Sequence, residues 1–313
     1  MAVKSGKLRL EMFAMKKILI MTLIVNLCFN FIGCGDPTTN IPIELTKTIS
    51  GKILFRDPLV EGMNKPNQGL VLLDSQSTAI TPIGIFGGNA RFMGNTSKIL
   101  VDTGLGEIEL YDIDTKNTIQ VYQAETPYIS SIDISYVDEK HFSVTEENKM
   151  FLVNIQDNSK KKIVEEKNSI GTHSWCNNGK NVYYSAYTVA ENNQVLNQIF
   201  KLNVETGQRE YLYDGIYPKV SKDGRLIAYF PNGDRTKLII KELNGKGQWE
   251  YTAPMVKFCF SPDGEYIASV ERWRGPWYYE GYTVKIVDYK TGNAQTVVPK
   301  YANGQCYDID WAE

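Results

Sequence analysis

The chain has 313 residues, of which 42% are hydrophobic and 12% aromatic, a composition that supplies a large core and excludes disorder of the whole chain. Its 34 basic and 36 acidic residues give a net charge of −2, so the charge gives no indication of nucleic-acid binding. Two histidines, His141 and His173, leave little room for a histidine-built metal site or a Ser-His-Asp triad.

The N-terminus has the pattern of a secretion signal. Met15-Lys16-Lys17 precedes an apolar run from Ile18 to Ile32, which is shorter than the about 20 residues that a membrane-spanning helix needs. The run ends in Phe31-Ile32-Gly33-Cys34, which resembles the bacterial lipobox. This resemblance implies cleavage before Cys34 and acylation of that cysteine. The alternative is an ordinary cleaved signal in which Cys34 is incidental.

These features predict the organisation of the chain. We expect a signal peptide over residues 1–33, with Met15 as a candidate start, and a tether over residues 34–48. The mature protein is then expected outside the cytoplasm, anchored to a bacterial membrane through acylated Cys34. Three cysteines remain beyond the anchor, and their odd number indicates no disulfide framework and leaves any pairing open. They are Cys176, Cys259 and Cys306.

One unit recurs six times after the tether: an apolar strand that ends in an acidic or amide residue, followed by a turn and another strand. The six copies end at Asp74, Asp112, Asn154, Asn203, Glu242 and Asp288. The five intervals average about 43 residues, which is typical of a four-stranded propeller blade.

A tight turn recurs in the same phase. Ser261-Pro262-Asp263-Gly264 and Ser221-Lys222-Asp223-Gly224 each precede an apolar strand. Because Pro presets φ and Gly tolerates positive φ, the motif predicts a turn between the first two strands of a repeat. The segment 306–311 resembles such a first strand, while the first repeat, residues 49–83, has three candidate strands. We therefore predict that the last strand completes the first blade and closes a ring.

The Ser-Pro-Asp-Gly turn resembles the turns of the TolB-type WD-repeat-like propeller family. The repeats and the ring closure predict an all-β fold, a single six-bladed β-propeller over residues 49–313. The resemblance agrees with this fold and carries no functional residues over to this chain. No Gly-x-Ser-x-Gly elbow occurs in the sequence, and no catalytic constellation, cofactor or metal is predicted.

Three long loops, residues 57–69, 188–197 and 272–282, are expected on one face, which we call the long-loop face. The opposite, tight-turn face carries the Ser-x-Asp-Gly turns. The third loop is rich in Trp, Tyr and Arg, the residues that dominate binding hot spots. Its candidate partner-binding residues are Arg272, Trp273, Arg274, Trp277, Tyr278, Tyr279 and Tyr282. The alternative is that these aromatic side chains fold back onto neighbouring blades.

Alignment of the innermost strands predicts which side chains line the central channel. The charged candidates for contact with a channel ligand are Arg91, Asp133, Lys219, Lys257, Asp308 and Asp310. They could hold a small ionic ligand, or they could form a hydrated channel of mutually compensating charges, which the mixed signs favour.

The sequence therefore favours a non-catalytic binding or scaffold protein. Its long-loop face is expected to contact a protein or a cell-envelope glycan. The alternative is a carbohydrate-active or other enzyme that uses Asp308, Asp310 or Asp133 at the channel mouth.

Overall fold

The computed structural model describes residues 49–57, 69–77, 79–94, 97–134, 140–176, 178–189, 195–274, 280–302 and 308–313. All of them lie in one compact unit, Glu44–Glu313. They form strands and turns, so the all-β prediction is confirmed for this part of the chain. No helix long and apolar enough to cross a membrane occurs within it. The predicted signal, Cys34 and the tether up to residue 48 lie outside the described residues.

Four of the five antiparallel sheets in the described ranges have four strands each. The first pairs β1 (Lys52–Asp57), β2 (Gly69–Asp74) and β3 (Ile80–Phe86) with β23 (Ile309–Ala312), in the order β23-β1-β2-β3. The second consists of β4 (Ala90–Phe92), β5 (Lys98–Asp102), β6 (Glu107–Asp112) and β7 (Thr118–Gln123). The third consists of β8 (Ser131–Ile134), β9 (His141–Glu146), β10 (Lys149–Asn154) and β11 (Lys160–Glu165). The last consists of β19 (Met255–Phe260), β20 (Ile267–Arg274), β21 (Glu280–Val287) and β22 (Ala294–Ala302).

The remaining sheet has seven strands, where the sequence predicts two separate repeats. It runs through β12 (Ile170–Trp175), β13 (Asn181–Val189), β14 (Val195–Asn203), β15 (Arg209–Val220), β16 (Leu226–Pro231), β17 (Lys237–Glu242) and β18 (Gln248–Thr252). The first half of β15 pairs with β14 and its second half with β16. At the transition, a Cβ on Gly215 would lie 2.7 Å from the carbonyl oxygen of Phe230, so the absence of a side chain permits this continuous strand.

The turns follow the sequence motifs closely. The backbone N–H of Leu226 donates to Ser221 Oγ at 2.9 Å, and that of Tyr266 donates to Ser261 Oγ at the same distance. Gly224 and Gly264, in the same two turns, both have φ of +72°, a conformation that glycine adopts without strain. The Ser-x-Asp-Gly motif therefore builds the same turn twice, as predicted.

The sheets have a propeller-like arrangement. Five edge strands and the middle strand of the seven-stranded sheet contact one another in the order β23, β4, β8, β12, β15 and β19, and β19 contacts β23. We call these six the inner strands. Buried apolar residues of the described ranges form six clusters, each between successive sheets or between the halves of the seven-stranded sheet. Strands such as β2, which is buried along nearly its whole length, are continuous apolar runs because neighbours cover both faces.

The last strand joins the first sheet, as the sequence predicts. Strand β23 pairs antiparallel with β1, with Asp310 opposite Leu54 and Trp311 opposite Ile53. The Trp311 indole is buried in the cluster between the first and last sheets, and its Nε1 donates to the carbonyl of Ser50 at 3.2 Å. The Trp311 side chain thus adds to the backbone pairing of β23 with β1, which joins the two ends of the described fold.

Truncation of this indole should weaken the fold. We expect Trp311→Ala to lower the free energy of unfolding by about 3 kcal/mol or more, since it leaves a large cavity. Ile119→Ala removes an apolar side chain that is 57% exposed on β7, and should change stability by less than about 0.5 kcal/mol. Chemical denaturation of both variants measures the difference; equal losses would contradict the anchoring role of Trp311.

Candidate functional site

The six predicted channel residues come together along the inner strands, and we call them the axial cluster. They are Arg91 on β4, Asp133 on β8, Lys219 on β15, Lys257 on β19, Asp310 on β23 and Asp308 just before β23. Arg91, Asp133, Lys219 and Asp308 are buried, whereas Lys257 and Asp310 are partly accessible. The structure therefore brings these six side chains to the inner strands, and their contact with a ligand stays a prediction.

Arg91 lies at the centre of the cluster. Its Nη1 is 2.5 Å from Asp308 Oδ2, and its Nε is 3.8 Å from Asp133 Oδ1. Burial by itself would raise the pKa of Asp308, but the positive charges of Arg91 and Lys257 outweigh it and lower that pKa. Asp308 and Asp133 thus both form ion pairs with one guanidinium.

Side chains of the inner strands also bind the backbone of the next strand in the series. The N–H of Phe92 donates to Asp310 Oδ2 at 2.8 Å, and the N–H of Trp175 donates to Asp133 Oδ2 at 2.9 Å. The N–H of Val220 donates to Ser174 Oγ at 3.1 Å. The equivalent positions on β4 and β15 hold Arg91 and Lys219, whose side chains have no acceptor. The equivalent position on β19 holds Cys259, so within the described residues three of the six positions supply such a hydrogen bond.

The remaining axial charges have perturbed titration. Burial raises the pKa of Asp310 to about 6, although Arg91 and Lys219 oppose the change. Burial lowers the pKa of Lys257 to about 7, in spite of the opposing charge of Asp308. The Lys257 ammonium lies 4.0 Å from the centre of the Tyr217 ring, a cation–π contact that Tyr217 makes from a backbone φ of +65°.

A cavity of about 50 Å³ opens beside the cluster at the tight-turn face. Lys219 and Asp310 both line it, and the turn residues Lys222, Ser261 and Pro262 form part of its rim. The sequence analysis assigned binding to the long-loop face and did not predict a cavity here. The turn signature predicts backbone conformation, but it gives no information on the space left between turns of neighbouring sheets.

His173 is a neutral structural residue. Its Nε2 lies 2.5 Å from Ser143 Oγ, and its Nδ1 lies 3.0 Å from Thr145 Oγ1. Complete burial lowers its pKa to about 4. Both ring nitrogens therefore have hydroxyl partners, and His173 is not among the residues that line the cavity.

The cysteines and acids that the structure describes give no metal centre. Cys176 and Cys259 are both buried, and Cys306 lies outside the described residues. Burial raises the pKa of the Cys259 thiol well above its ordinary value. Within the described ranges, no group of three or more His, Cys, Asp or Glu side chains could hold a metal ion.

The predicted partner-binding loop is described in part. Arg272 is exposed and Trp273 is partly buried, whereas Tyr282 is only 2% exposed and packs in the core between the first and last sheets. A buried tyrosine cannot contact a docked partner directly. Trp277, Tyr278, Tyr279 and the Arg274 side chain lie outside what the structure describes.

The long-loop face carries a set of exposed apolar side chains that the sequence analysis missed. Of the eight large apolar side chains exposed among the described residues, six lie at this face: Phe86, Leu105, Tyr128, Tyr187, Val189 and Val195. Leu105 and Tyr128 are 71% and 76% exposed, and a Cβ on Gly106 would touch Thr126, so their two loops are neighbours. The signal available in the sequence was an apolar residue at a turn, as in Gly104-Leu105-Gly106.

Comparison with known proteins gives the fold. No protein-family model matches the chain, and no curated protein matches it. Among solved structures, TolB from Acinetobacter baumannii is similar with a TM-score of 0.68 at 16% sequence identity, over 85% of this chain and 67% of that chain. The chain therefore has a TolB-like β-propeller fold, in agreement with the resemblance seen in its turns.

Asp310 should give the protein a characteristic pH dependence. Its folded-state pKa of about 6 exceeds the about 3.9 of an unfolded aspartate, so the folded protein holds this proton more tightly. Relative to Asp310→Asn, the free energy of unfolding should therefore rise by about 2 kcal/mol as the pH falls from about 6.5 to about 4. Urea denaturation of both proteins across this range tests it. A constant difference between them would show that Asp310 titrates normally.

Proposed function

We propose that this protein is a lipid-anchored, extracytoplasmic, non-catalytic binding scaffold that uses the long-loop face of a TolB-like propeller. Its partner is a protein or another cell-envelope component. The observation that carries the proposal is the set of exposed apolar side chains on that face. Loops on a rigid scaffold commonly carry function, and the apolar side chains exposed on these loops are available for contact with a partner.

The scaffold in this proposal is one six-bladed propeller over residues 49–313. If the seven-stranded sheet is divided at Gly215, each half has four strands, as the other sheets do. The six apolar clusters and the serial contacts of the inner strands support six blades. The pairing of β23 with β1 supports closure of the ring.

The geometry favours binding over the alternative of an enzyme at the channel mouth. Hydrolysis of a glycosidic bond ordinarily uses two carboxyl groups, one as acid and one as base or nucleophile. Asp308 and Asp133 are both bound to Arg91, and each also accepts a backbone N–H. Asp133 and Asp310 both line the cavity, but Asp133 forms an ion pair with Arg91, so Asp310 is the one of the three carboxylates that lines the cavity without an ion pair to arginine in the described residues.

The anchor in this proposal depends on Cys34. Wild-type protein should incorporate labelled palmitate in growing bacteria and sediment with membranes, because several acyl chains hold a protein stably on a bilayer. Cys34→Ala should lose both properties, whereas the matched Cys176→Ala variant should keep them. Labelling of Cys34→Ala at the wild-type level would rule out this anchor.

Photo-crosslinking in intact cells tests the docking face. A photoreactive residue at position 105 or 128 should give a discrete crosslinked species, since Leu105 and Tyr128 are the most exposed large apolar side chains described. Ile119 and Tyr211 are similarly apolar and exposed, but they lie on outer strands, so positions 119 and 211 are matched controls. The same adduct from all four positions, or none from positions 105 and 128, would contradict protein docking at this face.

A further inference from the structure

Two side chains of opposite charge, Lys219 and Asp310, line the cavity at the tight-turn face, and each has a polar atom that makes no hydrogen bond within the described residues. Lys219 is only 8% exposed, and its ammonium makes no hydrogen bond or ion pair within the described residues. Asp310 uses Oδ2 to accept the N–H of Phe92, and its Oδ1 has no hydrogen-bond partner within the same ranges. Because both side chains line the cavity and these two atoms have no protein partner there, a ligand or ordered water in the cavity would satisfy them.

The neighbouring polar groups are already satisfied. Asp133 accepts the Trp175 N–H and lies beside Arg91, and Ser174 accepts the Val220 N–H. Both residues line the cavity, but neither has the unused charge of Lys219 or Asp310. A ligand is therefore expected to bind at these two side chains.

Charge balance selects the kind of ligand. The cavity is lined by two cationic side chains, Lys219 and Lys222, and by two carboxylates, Asp133 and Asp310. Their formal charges cancel, so a bound anion or cation would leave an uncompensated charge at a buried site, at high cost. A zwitterion brings one charge of each sign and leaves the balance unchanged.

The size of the cavity limits the ligand further. A site holds one water in about 10–15 Å³ of such volume, so a cavity of about 50 Å³ accepts about four water-sized groups. Glycine and alanine are close to this size, and a small side chain could point to the rim between Gly94 and Pro262. Larger amino acids would extend into solvent.

We propose that this axial cavity binds a small zwitterionic amino acid of the size of glycine or alanine. Its carboxylate accepts a hydrogen bond from Lys219 Nζ, and its ammonium donates to Asp310 Oδ1. The site lies at the face opposite the long loops, so the proposal does not rest on the docking function.

Calorimetry on the detergent-solubilised full chain tests the ligand class. Glycine or alanine should bind with a dissociation constant of about 1 mM or below, and acetate and methylammonium should each bind at least about tenfold more weakly. Equal binding of acetate and glycine would overturn the proposal in favour of an anion site. Absence of glycine and alanine binding would overturn it in favour of ordered water.

Substitutions test the two contacts. Lys219→Met and Asp310→Asn should each weaken glycine binding by about tenfold or more, since each removes one charged contact. Lys180→Met and Asp114→Asn make the same chemical changes at exposed sites and should leave affinity unchanged. Wild-type affinity in either cavity variant would contradict the assigned contacts.

If a cavity variant fails to fold, a crystal of wild-type protein soaked in alanine is the deciding experiment. Alanine must then bridge Lys219 and Asp310, and density elsewhere or water alone would overturn the proposal.

Discussion

The axial ion pairs of Arg91 constrain the centre of this fold. One guanidinium on β4 binds Asp308 beside β23 and approaches Asp133 on β8, so it connects three inner strands through charge alone. A buried pair of this kind need not add net stability relative to apolar side chains, because each charge loses its hydration. Loss of one partner, however, leaves the other charges buried and unpaired, at a cost of roughly 3–5 kcal/mol. The pairs therefore favour the arrangement in which these three strands meet at the axis.

The same constraint shapes the chemistry available at the axis. Because Arg91 occupies two of the three carboxylates, the charges of Asp310 and Lys219 remain for the cavity. The axis is lined by charged side chains and has a cavity beside it, whereas the contacts between neighbouring sheets are made by buried apolar clusters. The molecule thus combines a rigid surround with a polar centre, and its two faces differ in character: exposed apolar loops on one and a charged cavity on the other.

Much of the fold could be predicted because the same strand and turn pattern recurs in several repeats of the sequence. The Ser-x-Asp-Gly turns depend on local hydrogen bonds and positive φ, which are properties of a few adjacent residues. Pairing of β23 with β1 followed from the missing strand of the first repeat. The axial cluster followed from the equivalence of inner strands. These features are local or periodic, and a sequence displays such features directly.

Other features depended on contacts between distant residues. The continuity of β15 rests on the close approach of Phe230 to Gly215, which no pattern within 209–220 reveals. The exposed apolar residues of the long-loop face and the cavity depend on how neighbouring sheets leave space. The burial of Tyr282 could have been predicted. It lies two and four positions before Val284 and Ile286 on β21, so all three side chains point to the same face of the sheet, and all three belong to one apolar cluster.

The pairing of β1 with β23 has a consequence for how the chain reaches this structure. The indole of Trp311 and the carbonyl of Ser50 are 261 positions apart in the chain, and contacts of such separation form late because closing a long loop costs entropy before any contact compensates it. Until then, β1 presents an unpaired strand edge beside an exposed apolar surface, which is a template for association with other chains. The interval between synthesis of the first sheet and arrival of its fourth strand is thus the period of greatest risk of aggregation.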